Sequence, residues 1–95
     1  MIAFLLATRD EAAPLLAALH GEKLADAPFE THWFPARGRK PAGLLVITGM
    51  GPAAAASATR HVLNTHKVQH LINAGIAGSL RDGLVPGGVY RITSV

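Results

Sequence analysis

Three short apolar runs, separated by polar or glycine-rich stretches, limit what this chain can fold into. They cover residues 2–7, 42–48 and 68–74. Apolar runs of four to eight residues are typical of strands that are buried on both faces of a parallel sheet. We therefore expect a buried strand at each of the three places, with helices covering both faces of the sheet.

The first helix is predicted directly after the first run. Thr8-Arg9-Asp10-Glu11 has the Thr-x-x-Glu spacing of a capping box. Leu15, Leu16 and Leu19 then form one apolar stripe, and Gly21 is a plausible stop after the helix. These signals predict a helix that starts at the capping box and packs its leucines on the sheet.

Proline supports both helix predictions. Pro14 falls in about the first turn of the first helix, where its missing N–H matters least. Pro52 is followed by a run of alanines that leads to His66. Proline at the first helical position and good helix formers after it predict a second helix.

The other segments complete the predicted order. Residues 24–28 suggest a connection, and residues 30–36 alternate loosely and are joined through 37–41 to the second apolar run, which predicts a hairpin. Residues 81–88 form a polar connection, and 89–95 a final strand. The predicted order is β-α-β-β-α-β-β, an α/β fold with a layered, mixed sheet flanked by helices.

Composition excludes several classes of protein. The 95 residues suit one small domain, and the absence of cysteine removes disulfides and thiolate metal sites and fits a reducing cytoplasm. The apolar runs are far shorter than the ~20 residues that cross a bilayer, and the N-terminus does not resemble a secretion signal. We expect no membrane and no metal.

The net charge of +3 comes largely from the basic cluster Arg37-Gly38-Arg39-Lys40. A cluster of this kind can contact phosphates, but a solvated turn between two strands explains it better. It also lacks the interleaved aromatic residues of a single-strand binding platform. Nucleic acid is therefore not an expected partner.

Three turns follow the predicted strands at their carboxyl ends, where open α/β sheets bind ligands: residues 7–11, 49–52 and 73–78. Gly49-x-Gly51-x-x-Ala54 matches the loose dinucleotide-binding pattern. The acid that this pattern requires about 20 residues further on is missing, which argues against a nicotinamide cofactor. We expect no cofactor.

Two of these turns allow more than one interpretation. Glu11 can act in catalysis, but it can also simply close the capping box with Thr8, which spacing alone favours. The segment 73–78 suits a flat ligand lying against the backbone, and equally suits a tight turn after a strand. Neither motif alone decides between the two interpretations.

Together, the three turns resemble one family. Residues 2–12 are similar to the opening strand and acidic turn of methylthioadenosine/S-adenosylhomocysteine nucleosidases. Residues 48–55 resemble their Ser/Thr-Gly-x-Gly-x-x-x-Ala segment, and residues 72–78, with Gly87 and Val89, resemble their Asn-x-Gly-x-Ala-Gly…Gly-Asp-x-Val stretch. The sequence Asn-Ala-Gly-Ile-Ala-Gly is most similar to the corresponding segment of futalosine hydrolases, which belong to the menaquinone pathway. The resemblance runs through the whole chain and implies the purine nucleoside phosphorylase and nucleosidase superfamily.

This resemblance implies roles for individual residues. Glu11 matches the acid that binds and activates water, and a carboxylate can also favour positive charge on the ribosyl group. Met50 matches the apolar residue on the 5′ side of the sugar. The remaining residues implied to lie beside a purine nucleoside or nucleobase are Ala7, Thr8, Ile76, Ala77 and Gly78.

The resemblance favours water over phosphate as the nucleophile. Phosphate-using members carry an Arg and a Ser where this chain has Asn73 and Ile76, and loss of that clamp weakens phosphate binding. Ile76 also departs from the Ser of methylthioadenosine nucleosidases, and Gly88 stands where many relatives have Asp. The implied activity is hydrolysis of a nucleoside N-glycosidic bond, with half of a phosphorylase as a less favoured alternative.

The resemblance also implies that the 95 residues form the N-terminal half of the family fold. Relatives carry a Met-Glu pair for the ribose hydroxyls and an Asp for the leaving base in a later part of the chain. We therefore expect one truncated domain over residues 1–95, little activity alone, and a homodimer or larger assembly that covers the open sheet. A non-catalytic fragment that keeps weak nucleoside binding is the alternative from another class.

Overall fold

The computed structural model describes residues 1–39, 41–75 and 89, which form a five-stranded sheet with one helix on each face. In chain order the elements are β1 (Ile2–Leu6), α1 (Arg9–Leu19), β2 (Glu22–Ala25), β3 (Glu30–Phe34), β4 (Gly43–Ile47), α2 (Pro52–Thr65) and β5 (His70–Asn73).

The sheet is mixed, with the strand order β2-β3-β4-β1-β5. β1 is parallel to both of its neighbours, because Ile2 pairs with Gly43 of β4 on one side and with His70 of β5 on the other. β3 is antiparallel to β4 and to β2, which confirms the predicted hairpin. The predicted α/β class with a mixed sheet flanked by helices is confirmed.

The predicted element order was wrong in one place. Residues 24–28 were expected to form a connection, whereas Glu22–Ala25 is a strand that pairs with β3. β2 lies at the edge of the sheet, and its first three residues are exposed. Backbone pairing with β3 forms this strand, and because its side chains are not buried, its sequence has no apolar pattern that would predict a strand. The final strand predicted for 89–95 lies outside the described residues apart from Val89.

Each face of the sheet has its own apolar core. Ala3 and Leu5 of β1 pack with Leu44 and Val46 of β4 beneath Ala58 and Val62 of α2. On the other face, Leu6 and Leu45 pack with Ala12 of α1, and Leu15 and Leu16 cover them. Alternate residues of β1 and β4 therefore enter opposite cores, which explains why both strands have continuous apolar runs.

β5 departs from the predicted burial. All four of its residues are exposed, including Leu71 and Ile72. The helices pack over β1 and β4 instead, and β1 is the neighbour of β5 in the described sheet. An apolar pair in an otherwise polar segment was therefore not sufficient to indicate a buried strand.

α1 begins as predicted, but its interior differs. Thr8 has an extended backbone, and its Oγ1 accepts a hydrogen bond from the Glu11 N–H at 3.3 Å. Pro14 is not in the first turn, because the helix starts at Arg9 and Pro14 is its sixth residue. At that depth the missing N–H leaves the Asp10 carbonyl without its usual helical donor.

α1 ends at Leu19, one residue before the predicted helix end at His20. His20 adopts the left-handed conformation (φ 55°), and the N–H of Gly21 bonds to the Leu16 carbonyl at 3.1 Å. α2 spans Pro52–Thr65 and begins at the predicted proline. In the described part of the chain, neither helix has the length and apolar character needed to cross a membrane.

Candidate functional site

The carboxyl ends of β4, β1 and β5 lie side by side at one edge of the sheet. Backbone hydrogen bonds continue the sheet past the strand ends, from Thr48 N to Leu6 O (2.8 Å) and from Gly49 N to Ala7 O (3.1 Å). On the other side of β1, Ala74 N bonds to Leu5 O at 3.0 Å. The three turns singled out in the sequence therefore start next to one another.

Glu11 lies at this edge, in the first turn of α1. It is half-buried, and its backbone N–H is used by the Thr8 cap. Its carboxylate is directed toward the turn after β5, where a Cβ placed on Gly75 would lie 3.2 Å from Glu11 Oε2. The structure therefore places this carboxylate of the first turn beside the start of the third turn.

This geometry bears on the two interpretations of Glu11. In a full capping box the Glu side chain reaches back to the N–H of the capping residue. Among the described residues, the bond between Thr8 and Glu11 runs only from the Glu11 N–H to the Thr8 hydroxyl. The cap therefore forms with the Glu11 backbone, while the Glu11 carboxylate lies beside Gly75.

The second turn carries two glycines with left-handed backbones, Gly49 (φ 85°) and Gly51 (φ 96°). Met50 stands between them and is 80% exposed, the second most exposed large apolar side chain after Val89 in the described chain. Since Gly49 bonds to Ala7, the Met50 turn lies beside the turn that carries Glu11.

The remaining predicted site residues divide into two groups. Ala7 and Thr8 are half-buried at the end of β1, next to Glu11. Asn73 is exposed at the end of β5. Ile76, Ala77 and Gly78 lie outside the described residues, so the structure brings together the first two turns and the start of the third.

A charged cluster that the sequence analysis missed lies close to the same edge. Arg9, the first residue of α1, donates from Nε (2.8 Å) and Nη2 (2.5 Å) to Glu30 Oε1 on β3. His32 Nε2 lies 2.8 Å from the second oxygen of Glu30. Glu30 reaches this edge because β3 is antiparallel to β4 and Glu30 pairs with Ile47, the last residue of β4.

The charges of this cluster favour the ionised carboxylate. The pKa of Glu30 is lowered from its ordinary value of 4.5 to about 2, first by the hydrogen bond from Arg9 and then by that from His32. The Arg9 side chain is 73% exposed whereas that of Glu30 is 15% exposed. The only sequence feature that could have indicated this cluster is that Glu30 and His32 lie on the same face of β3. Nothing in the sequence indicated that Arg9 contacts Glu30, because the two residues are far apart along the chain.

The opposite end of the sheet has an apolar groove of about 430 Å³. It lies beside the rings of Phe4 and Phe34, whose centroids are 6.0 Å apart, and close to Arg37. None of the predicted site residues lines it. In the part of the chain that the structure describes, no group of three or more His, Asp or Glu residues could hold a metal ion.

The family follows from the sequence as a whole. Residues 1–95 match the model of the phosphorylase superfamily. The chain belongs to the phosphorylase superfamily. This membership confirms the family resemblance seen in the sequence. The first two turns and the start of the third lie at one edge of the described sheet. No curated protein matches this superfamily member in sequence.

Solved structures share the fold of this phosphorylase-superfamily chain. The D198N mutant of a Helicobacter pylori nucleosidase (MTAN) with 5′-methylthioadenosine in its active site is 22% identical, with a TM-score of 0.75 over 88% of the chain. S-adenosylhomocysteine nucleosidase of Streptococcus pyogenes, in complex with 5-methylthiotubericidin, is 26% identical over 88% of the chain with the same TM-score of 0.75. Futalosine hydrolase of Helicobacter pylori is 22% identical, with a TM-score of 0.72 over 84% of the chain.

The chain is much shorter than these neighbours. It spans 36% of the length of the first, 35% of the second and 34% of the third. The chain therefore corresponds to about a third of each of these neighbours.

The Glu30 cluster predicts an acid-dependent loss of stability. Because the pKa of Glu30 is lowered to about 2, its contribution is present above pH 4.5 and is lost as the pH falls toward 2. Since Arg9 is largely exposed, we expect Glu30→Gln to lower the free energy of unfolding at pH 7 by only about 1 kcal/mol.

Urea unfolding at a series of pH values measures this effect. The difference between the native protein and Glu30→Gln should shrink between pH 4.5 and pH 2. Glu22→Gln, the same change at an exposed position of β2, is the control and should leave the profile nearly unchanged. An equal difference at every pH would contradict the assignment.

Proposed function

We propose that this chain carries the water-activating part of a nucleosidase site, which hydrolyses the N-glycosidic bond of a purine nucleoside. The observation that supports this proposal is the position of Glu11. Its carboxylate lies beside Gly75 at the carboxyl edge of three parallel strands, and ligands of open α/β sheets bind at that edge.

Glu11 has the chemistry that such a reaction needs. A carboxylate accepts a hydrogen bond from water and polarises it for attack on the anomeric carbon. Its negative charge also favours the positive charge that develops on the ribosyl group as the bond to the base breaks. The Thr8 cap uses only the backbone of Glu11, which leaves the carboxylate available for this role.

We propose that the neighbouring turns position the nucleoside. Met50 is exposed at the tip of its glycine turn, where its flexible apolar side chain is suited to the 5′ side of the sugar. Ala7 and Thr8 line the turn next to Glu11, and Ile76, Ala77 and Gly78 would flank the base and ribose. One fold neighbour has 5′-methylthioadenosine in its active site, which supports a purine nucleoside as the ligand class.

Water is the preferred nucleophile in this proposal. Asn73, exposed at the end of β5, carries no charge, and the side chain of Ile76 cannot donate a hydrogen bond, so neither side chain replaces the Arg and Ser of a phosphate clamp. The absence of cysteine is consistent with a reducing cytoplasm, which we propose as the location. The sequence of residues 73–78 favours a futalosine-like nucleoside as the substrate. This substrate would place the chain in menaquinone synthesis.

Nucleoside binding tests the location of the site. In an ¹⁵N-NMR titration with methylthioadenosine, we expect shifts at Thr8–Glu11, Met50 and Asn73–Gly75. Glu11→Gln should weaken binding about tenfold or more, because the carboxylate loses its charge-assisted hydrogen bond to the water that lies against the sugar. Inorganic phosphate should cause no shifts at these residues.

Glu22→Gln is the matched control and should bind like the native chain, because Glu22 is exposed on β2. No shifts at millimolar nucleoside, or shifts confined to the groove around Phe4 and Leu19, would contradict the proposed site. Shifts with phosphate would favour the alternative, half of a phosphorylase.

Hydrolysis by the 95 residues alone is expected to be slow. The acid that protonates the leaving base in relatives has no match among these residues, and general acid catalysis contributes typically about 10²–10⁴-fold. We therefore expect release of base from futalosine or methylthioadenosine at least about 100-fold slower than by a full-length relative. Turnover equal to that relative would contradict this expectation and the non-catalytic alternative together.

We also propose that the chain forms a homodimer or a larger assembly. β5 lies at an edge of the described sheet with Leu71 and Ile72 exposed, and Leu63 of α2 is 54% exposed. Edge strands and exposed apolar side chains favour association. Light scattering should give at least twice the 9.9 kDa mass of the chain, and a monomer at high concentration would contradict the proposal.

A further inference from the structure

We infer that Glu30 is a positioning residue that, through Arg9, fixes the first turn of α1 and thereby the carboxylate of Glu11. The inference concerns the orientation of Glu11; its catalytic meaning rests on the function proposed above. Neither the sequence motifs nor the superfamily membership assigns a role to Glu30.

Glu30 is itself held from two sides. One of its oxygens accepts both hydrogen bonds from Arg9, at 2.8 and 2.5 Å, and the other lies 2.8 Å from His32 Nε2. Its side chain is 15% exposed, whereas that of Arg9 is 73% exposed. The carboxylate on the sheet is therefore the fixed partner, and the guanidinium on the helix is the group that it restrains.

The first turn of α1 depends on such an outside contact. Pro14 cannot donate to the Asp10 carbonyl, so one of the hydrogen bonds that would join this turn to the next is missing. Two hydrogen bonds at the helix start lie at or beyond the upper end of the usual range, with 3.3 Å from Glu11 N to Thr8 Oγ1 and 3.2 Å from Ala12 N to Thr8 O. The Arg9–Glu30 contact restrains the weakened turn from outside the helix.

The directions of the two side chains explain how the restraint reaches Glu11. Residues two apart on a helix point about 200° apart around its axis. Arg9 contacts Glu30 on β3, and Glu11 lies beside Gly75 after β5. In the sheet, β3 and β5 lie on opposite sides of β1, so the first turn is held across β1 and its rotation determines where Glu11 lies.

NMR of the 95-residue chain tests this inference without a ligand. In the native chain we expect a nuclear Overhauser effect between the Glu11 γ-protons and the Gly75 α-protons. Glu30→Gln should abolish this signal or reduce it at least about threefold. It should also speed hydrogen exchange of the Glu11 amide at least about fivefold more than that of core amides such as Leu45 and Val62.

Two further variants and one control separate positioning from general stability. Arg9→Gln removes the same contact from the exposed helix residue, leaves the Glu30–His32 contact in place and should reproduce both effects. The double variant Arg9→Glu with Glu30→Arg restores an opposite-charge pair and should recover the signal. Glu22→Gln, outside the cluster, should change neither measurement.

The results also separate this inference from the proposed function. An unchanged Glu11–Gly75 signal in Glu30→Gln and Arg9→Gln overturns the inference, as does Glu11 exchange that rises only in proportion to the core. If the signal is lost as expected while methylthioadenosine binds neither chain, the proposed function fails and the positioning role stands. If methylthioadenosine binds the native chain and both variants equally, with the signal intact, the inference alone fails.

Discussion

The parallel pairing of β1 with both β4 and β5 is the constraint on which the rest of the structure depends. It places three strand ends at one edge, and it buries β1 between two helices. Parallel strands need covering on both faces, so α1 and α2 are required by the same pairing that aligns the three turns. The same strand pairing therefore determines both the apolar cores and the position of the candidate site.

Much of this arrangement could be predicted from local sequence, and the exceptions are informative. The continuous runs of β1 and β4, the Thr8 cap and Pro52 are strong signals because burial, capping and proline geometry act within a few residues. β2 is formed by edge pairing with β3, which leaves no pattern in an exposed segment such as Glu22–Ala25. The exposure of β5 depends on where the helices pack, and this position cannot be predicted from the residues of β5 alone.

The candidate site divides in the same way. The position of Glu11 and Met50 at this edge was predictable because each follows a strand at its carboxyl end, and their roles remain predictions. The contact between Arg9 and Glu30 could not be predicted, because Glu30 reaches that edge only through the antiparallel pairing of β3 with β4. Similarly, the sequence left open whether Glu11 caps its helix or contacts a ligand. The backbone N–H and the side chain of one residue can have separate roles, so the two interpretations do not exclude each other.

The closeness of Glu11 to Gly75 has a consequence for the order of assembly. The acid belongs to the first helix, whereas its glycine neighbour follows the last of the five described strands. Contacts between such distant parts of a chain form late, after the loops between them have closed. During synthesis, Glu11 leaves the ribosome long before Gly75, so the two come together only when β5 docks against β1.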